Sequence, residues 1–468
     1  MRRLNQVFDI YLILFFSLVI GLTVAFLFEM DVHIVYIIPA ILLMVIIYWV
    51  SVYGTIQYFG LYLFLFVLLT KAITVVLIDT PPISDFKMMI DAAKAFAVGD
   101  YGFKDNGYFQ AWAYQSGFVV YQGLIIKVFG YHLILMKLIN CLWIALTTLF
   151  IYKITKRLLN DVAARAAGLL YAVYIPFFLY APVLTNQHIS TMLYYLGLYF
   201  IVKEDSPGYK NWIMAGVALA LGNVMRPIGI IWLAAIGLWA VFDCFSTRRR
   251  HHHGVRLKGF AMCLVIYLVV FYGISLLFIR TGITDTGLKN NNPYWKFVVG
   301  FNEDTNGLYS FEDVKMLKDQ PINQALLDKE RALIRKRLSI PPNRMAMLMV
   351  NKVGSMWGKY ELGVFTFPHM LGKDIKRLGR DFDALHTSLL NLEKMIYLLM
   401  IGLVVYGLVI QFIHGHQSKY KIIYYVLTLY TGIHFLIEVS PRYKYVVMGL
   451  VFMLAGNGIR YINHRTSR

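Results

Sequence analysis

The sequence predicts an all-α polytopic membrane protein, a bundle of about twelve transmembrane helices with two large outer loops. Three observations carry that reading. Hydrophobic residues make up 59% of the 468 positions and charged residues only 15%, against roughly 25% charged in a soluble domain. Mean hydropathy is +0.60. Apolar runs long enough for a bilayer recur along the chain, and basic residues gather between them.

The runs fall at 9–29, 34–52, 57–79, 132–152, 162–180, 187–203, 211–225, 228–245, 259–279, 396–414, 420–437 and 443–460. They divide the chain into four parts: 1–56 with two leading spans, 57–280 as a core with a first loop at 80–131, a second loop at 281–395, and the last spans at 396–468. Arg2-Arg3 and the apolar Ile10–Phe28 could open a leader, but the run is long and lacks a small-residue cleavage site, so it reads as a span.

With the N-terminus in the cytoplasm, the inner connections hold Arg2 and Arg3, Lys153 to Arg157, Lys203 and Lys210, Arg248 to Lys258, Lys419 and Lys421, and Arg460 to Arg468. The short outer connections hold only Arg226, Arg442 and Lys444. That asymmetry predicts both termini inside a plasma membrane and both long loops outside. The net charge of +19 is then a topology signal spread between spans, and nucleic-acid binding is not indicated. Cys141, Cys244 and Cys263 lie in or beside apolar runs without metal-type spacing and read as packing residues.

The first outer loop opens with an amphipathic pattern. Phe86, Met89, Ile90, Ala93, Phe96 and Ala97 recur at helical spacing opposite Lys87, Asp91 and Lys94, with Ser84 as expected N-cap and Gly99 as the stop. Phe109–Phe129 reads as a second such helix. The second loop predicts helices at Phe311–Leu317, Gln324–Leu338 and Asn343–Trp357. No repeat relates the halves.

The residues that could carry chemistry sit at the expected outer boundary. Asp85 is a carboxylate where lipid meets water, or simply an acid favoured in a first helical turn. Arg226-Pro227 is a phosphate contact or a snorkelling arginine before a proline turn. Glu438, Arg442, Tyr443 and Lys444 crowd a very short connection, where Glu438 and Arg442 could also pair with each other. Lys352 and Trp357 are candidate ligand contacts or ordinary membrane anchors. Asn186 and His188 open a span. The tract His251-His252-His253 reads as part of a charged inner loop rather than a metal site, and no nucleotide-binding glycine loop or Gly-x-Ser-x-Gly elbow is present.

Four places together resemble the GT-C glycosyltransferase superfamily, in its protein-mannosyltransferase and aminoarabinose-transferase-like branch. They are Ser84-Asp85-Phe86 with Ala92–Phe96 and Gly99-Asp100-Tyr101; Leu158–Gly168 followed by Pro182-Val183-Leu184-Thr185-Asn186; Met225-Arg226-Pro227-Ile228-Gly229; and Glu438 through Tyr443. The resemblance implies a GT-C-like bundle that transfers a sugar from a polyprenyl-phosphate donor to a hydroxyl of a glycan, lipid or protein acceptor, with inversion, at the outer face. It implies Asp85 as general base, with Arg226 and Arg442 stabilising the departing phosphate; Glu438, Tyr443 and Asn186, which lie in the same motifs, and Lys352 and Trp357, from the residue reading alone, are taken as further substrate contacts. Many relatives carry an acid where this chain has Asn186, and in some that acid helps hold a divalent metal. Here no metal ligand is assigned and metal dependence stays open. The two leading spans precede the family's usual first helix. A twelve-span secondary transporter or a lipid-linked-glycan flippase is the competing reading; it predicts functional polar residues at mid-membrane. A glycan polymerase or ligase would share the substrate on another fold.

Overall fold

The computed structural model describes residues 2–29, 32–78, 80–203, 208–246, 253–317, 321–359, 382–414 and 420–466. Arg248 to Arg250, His251, His252 and Lys419 lie outside them, as does part of the second loop.

All twelve apolar runs are helical, and the described residues hold no strand. In chain order the helices are α1 (Arg2–Glu29), α2 (Ile37–Tyr53), α3 (Phe59–Leu77), α4 (Ser84–Ala97), α5 (Gly107–Ala111), α6 (Ser116–Phe129) and α7 (Leu133–Leu158). Then follow α8 (Asp161–Val173), α9 (Ile175–Tyr180), α10 (Asn186–Val202), α11 (Lys210–Met225), α12 (Gly229–Ser246), α13 (His253–Arg280) and α14 (Trp295–Gly300). The last are α15 (Phe311–Leu317), α16 (Gln324–Leu338), α17 (Pro342–Val353), α18 (Phe382–His414), α19 (Lys421–Leu436) and α20 (Tyr445–Thr466).

Among the described residues, seven helices are long and apolar enough to cross a membrane by length and composition. The run at 162–180 divides into α8 and α9, where Pro176 sits in the first turn of α9 and interrupts the ladder. Helices α10, α11 and α19 are short but lie in the bundle interior, with α10 against α7 and α11 and α12 against α19. Their aromatic side chains lock these contacts; Tyr194 stacks on Trp232 with ring centroids 5.3 Å apart. Cys141 and Cys263 are buried and unoxidised within this packing.

The two leading helices are integral to the bundle. α1 packs on α18, α19 and the turn after α17, and α2 packs on α8 and α18. A buried ion pair joins Asp9 of α1 to Lys421 of α19, with side chains 3% and 2% exposed.

Two expectations about the first loop are corrected. Ser84 does not cap α4: Ile83 holds the N-cap position, and Ser84 is the first helical residue, with φ of +50°. Phe109–Phe129 is not one helix. It breaks after Ala111, because Asn291 N donates to the Ala111 carbonyl (2.9 Å) and Tyr114 N donates to the Lys289 carbonyl (3.1 Å). Backbone groups that a helix would need are thus committed to the second loop. Asn106 caps the short α5 through Tyr108 N. Helix α4 ends as expected, with Gly99 at φ of +87°. In the second loop α15 and α16 fall at the expected places, while the third helix ends at Val353 and widens into a π turn, Gly354–Gly358.

Candidate functional site at one end of the bundle

The loop carrying α4 to α6, the start of α10, the end of α11, α14 and the connection between α19 and α20 meet at one end of the bundle. Close backbone approach fixes them. A side chain at Gly117 in α6 would meet the Val224 carbonyl of α11 at 2.1 Å, and one at Gly300 in α14 would meet Ile437 at 2.5 Å. The α14 contact is reinforced by Glu438 N donating to the Lys296 carbonyl (2.8 Å) and Val439 N to the Gly307 carbonyl (2.9 Å).

Asp85 stands in the first turn of α4, where the helix dipole favours negative charge. Its side chain is half-buried, and among the described residues it accepts no hydrogen bond and forms no ion pair. The residue before it, Ser84, holds a left-handed backbone conformation that costs a non-glycine residue of order 1–3 kcal/mol. The Asp85 charge reaches two phenols. Burial, and after it the Asp85 charge, holds the Tyr108 and Tyr309 hydroxyls above the ordinary phenol range, so both keep their protons.

From Tyr108 a chain of side chains runs to Arg226. Gln115 Nε2 donates to the Tyr108 hydroxyl (3.0 Å), Asn186 Nδ2 donates to Gln115 Oε1 (3.3 Å), and Arg226 Nη1 donates to Asn186 Oδ1 (3.3 Å). Thr185 caps α10 and so aims Asn186 at this network. Arg226 follows the last residue of α11 in extended backbone, and its carbonyl accepts from the Tyr194 hydroxyl (2.6 Å). Its Nε is buried with no hydrogen-bond partner among the described residues. An unmatched charged donor is costly in an interior, and its guanidinium otherwise only faces the Tyr443 ring at 5.4 Å.

Arg442 is half-buried, with its guanidinium 5.7 Å from the ring of Phe86, the neighbour of Asp85, and 5.9 Å from Tyr443. Its carbonyl accepts from Gln187 Nε2 (2.7 Å). Glu438 does not pair with Arg442. Its carboxylate is bound by Lys296, whose ammonium also donates to the Tyr443 hydroxyl (3.2 Å). Burial alone would lower the Lys296 ammonium; the Glu438 charge outweighs it and holds the group above its ordinary value.

Asp85, Asn186, Arg226, Glu438, Arg442 and Tyr443 therefore come together, and Lys352 and Trp357 lie beside them: Lys352 is within reach of the Glu438 charge, and the Gly354–Gly358 turn that carries Trp357 packs against Pro441–Lys444. The Lys352 ammonium donates to the Gly300 (2.7 Å) and Phe435 (2.9 Å) carbonyls, the ends of α14 and α19. Trp357 packs edge-on against Phe15 and Phe16 of α1. Sequence reasoning missed Lys296, Tyr108 and Gln115. A lone lysine within the aromatic Trp295-Lys296-Phe297 was the available signal for the first; the two first-loop residues carried none. As for a divalent metal, among the described residues no three His, Cys, Asp or Glu side chains gather. At Asn186 the side-chain amide oxygen accepts from the Arg226 guanidinium.

Residues 118–272 match the family model described as dolichyl-phosphate-mannose-protein mannosyltransferase. That stretch includes Asn186 and Arg226 and stops short of Asp85, Glu438 and Arg442. Among solved structures, the chain is similar to ArnT from Cupriavidus metallidurans bound to undecaprenyl phosphate, at 14% identity over 87% of this chain and 78% of that one, with a TM-score of 0.39. No curated protein matches the chain.

Proposed function

We propose that this chain is a GT-C-type membrane glycosyltransferase, a reading that the family match over residues 118–272 supports, and that it moves a sugar from a polyprenyl-phosphate donor to an acceptor hydroxyl at the outer face of the membrane. The observation that carries the reading is one juxtaposition. A carboxylate without hydrogen bond or ion pair among the described residues lies near Arg442, and the side-chain series Tyr108, Gln115 and Asn186 leads from beside it to Arg226, which keeps a buried, unbonded Nε–H.

In this mechanism Asp85 accepts the proton of the acceptor hydroxyl as its oxygen attacks the anomeric carbon. The bond from that carbon to the donor phosphate breaks on the opposite side, so the configuration inverts. The electron pair stays on the phosphate, and polyprenyl phosphate leaves. Arg226 and Arg442 meet the growing negative charge from fixed positions, which is where electrostatic stabilisation is largest. A guanidinium suits this role because its fork matches phosphate oxygens. Lys296 neutralises Glu438 and so keeps that acid from opposing the anion. The protonated phenols of Tyr108 and Tyr309 can donate to a carboxylate or to a sugar hydroxyl. A donor with its tail in lipid calls for a site at the end of the bundle, which supports this reading over a mid-membrane transport site.

Purified protein in detergent, given a radiolabelled polyprenyl-phosphate sugar and an acceptor extract, is expected to release polyprenyl phosphate. Asp85→Asn is expected to lower that release by about 10²–10⁴-fold with unchanged yield of folded protein. Full activity in Asp85→Asn would remove the base. Uphill flux of a solute without sugar transfer would favour a transporter instead.

A further inference from the structure

At the opposite end of the bundle lies a large cavity that the reaction above does not use. Its volume is about 880 Å³, and it opens between the connection from α2 to α3, the start of α3, the end of α7 and the start of α8. Its walls include the apolar Phe59, Phe64 and Leu149 and the uncharged polar Thr55 and Gln57, and its charged lining is Lys153, Lys156, Asp161 and Arg165.

Arg165 is the informative residue. It is 8% exposed. Its Nε donates to the Ser51 carbonyl near the end of α2 (2.7 Å), which fixes the plane of the guanidinium. Among the described residues its two Nη groups make no hydrogen bond and its charge has no ion-pair partner. The acid that lines the cavity is taken: Asp161 pairs with Lys156 at 2.7 Å. Lys153 adds a further cation, 5.8 Å from the Tyr199 ring. A buried guanidinium with idle donors, in a pocket where cations outnumber acids, is arranged for an anion. The pocket also continues into lipid. Leu61, in its lining, begins an exposed apolar row on α3 that runs through Leu65, Leu69, Ile73 and Val76. An apolar wall, a fixed arginine and an exposed greasy row together suit an amphiphile with an anionic head.

We propose that this cavity binds the phosphate-bearing headgroup of a membrane lipid, with the phosphate on the Nη groups of Arg165 and the two lysines, and the tails along α3. The site is built in part by α2, one of the two leading helices. It therefore gives that helix a role: its C-terminal carbonyl holds Arg165 in place. The proposal does not depend on the assignment of the reaction.

Two sources share this chemistry, a glycerophospholipid phosphodiester and a polyprenyl monophosphate. The test uses delipidated full-length protein in detergent and reads thermal stabilisation by added lipid, with native mass spectrometry counting bound molecules. The probes are phosphatidylglycerol, undecaprenyl phosphate, and the uncharged diacylglycerol and undecaprenol. Phosphate-bearing lipids are expected to stabilise and the uncharged pair not. Arg165→Gln is expected to weaken binding by about tenfold to a hundredfold, the loss of one or two charged hydrogen bonds. Lys153→Ala with Lys156→Ala alters only exposed side chains, so it serves where Arg165→Gln folds poorly; it is expected to weaken binding several-fold. Arg226→Gln, at the other end, separates the two sites: binding that survives it but is lost with the cavity variants belongs here. A response to phosphatidylglycerol alone assigns a glycerophospholipid, and a response to undecaprenyl phosphate alone assigns the polyprenyl carrier. Equal stabilisation of wild type and both cavity variants by every phosphate-bearing lipid overturns the proposal, as does equal stabilisation by the uncharged lipids.

Discussion

Replacing Asp9 by Asn leaves the Lys421 ammonium buried beside a neutral amide. The side chains of this pair are 3% and 2% exposed, so water cannot take over for the lost partner. At an effective dielectric near 20, two unit charges roughly 4 Å apart attract by ~4 kcal/mol. Breaking a buried pair from one side costs about 3–5 kcal/mol, because an uncompensated charge remains. The ring of Tyr424, 4.5 Å from the Lys421 nitrogen, returns only part of that. Asp9→Asn and Lys421→Met are each expected to lower stability by about 3–5 kcal/mol. The double variant Asp9→Leu with Lys421→Met removes both charges and is expected to return close to wild type, since apolar replacement of a buried pair is often neutral or better. Heat challenge in detergent followed by size-exclusion chromatography ranks the four proteins by folded fraction. Two results would refute the reasoning: a single variant within about 1 kcal/mol of wild type, or a double variant as weak as the two singles added.

Arg226→Lys keeps the charge but removes the fork; polyprenyl-phosphate release is expected to fall by about tenfold or more, and by about 10²–10³-fold in Arg226→Gln, as measured by single-turnover release. Glu438→Gln leaves Lys296 without its ionic partner beside the arginines; lower activity is expected, partly restored in the Glu438→Gln, Lys296→Met pair, and activity of the double below either single would contradict the pairing. Lys352 supplies a pH test. Burial holds its ammonium down to about 7 in the folded protein, against about 10.5 when unfolded. Above pH 7 the unfolded chain binds the extra proton, so stability is expected to rise with pH between about 7 and 10.5, by at most about 1.4 kcal/mol per unit. The charging penalty is in full force below that window. Thermal midpoints of wild type and Lys352→Met across the range check it: the variant should lose that slope.

The spans were legible because a helix in lipid must be apolar along its whole length, and that requirement is written locally. Helix α4 was legible from its period and its glycine stop, and α15 and α16 likewise. What stayed illegible was whatever depends on a distant partner. The Phe109–Phe129 pattern is genuinely helical, yet backbone bonds from Lys289 and Asn291 break it. Glu438 offered Arg442 four residues away as a partner, whereas its cation lies in α14, at Lys296. The two leading spans gave no hint of their use, because the residues that bind them into the bundle, Lys421 and Arg165, follow far along the chain.

Several buried lysines in this protein hold backbone carbonyls at the ends of helices. Lys71 donates to the Ala172 carbonyl (3.0 Å) at the end of α8, and Lys394 to the Gly358 carbonyl (3.3 Å) at the end of the π turn. Lys352 closes both α14 and α19. Each satisfies carbonyls that a helix terminus leaves without intrahelical donors. A lysine does this well because its three donors rotate freely about one point. Arg226 and Arg165 behave differently. Each guanidinium makes one hydrogen bond among the described residues, Arg226 to Asn186 and Arg165 to the Ser51 carbonyl, and leaves the rest of its planar fork unbonded there, a geometry that matches a phosphate. Lys352 thus ties the ends of α14 and α19 together beside Glu438. In the two proposals above these arginines, with Arg442 beside Arg226, are the groups that meet anions.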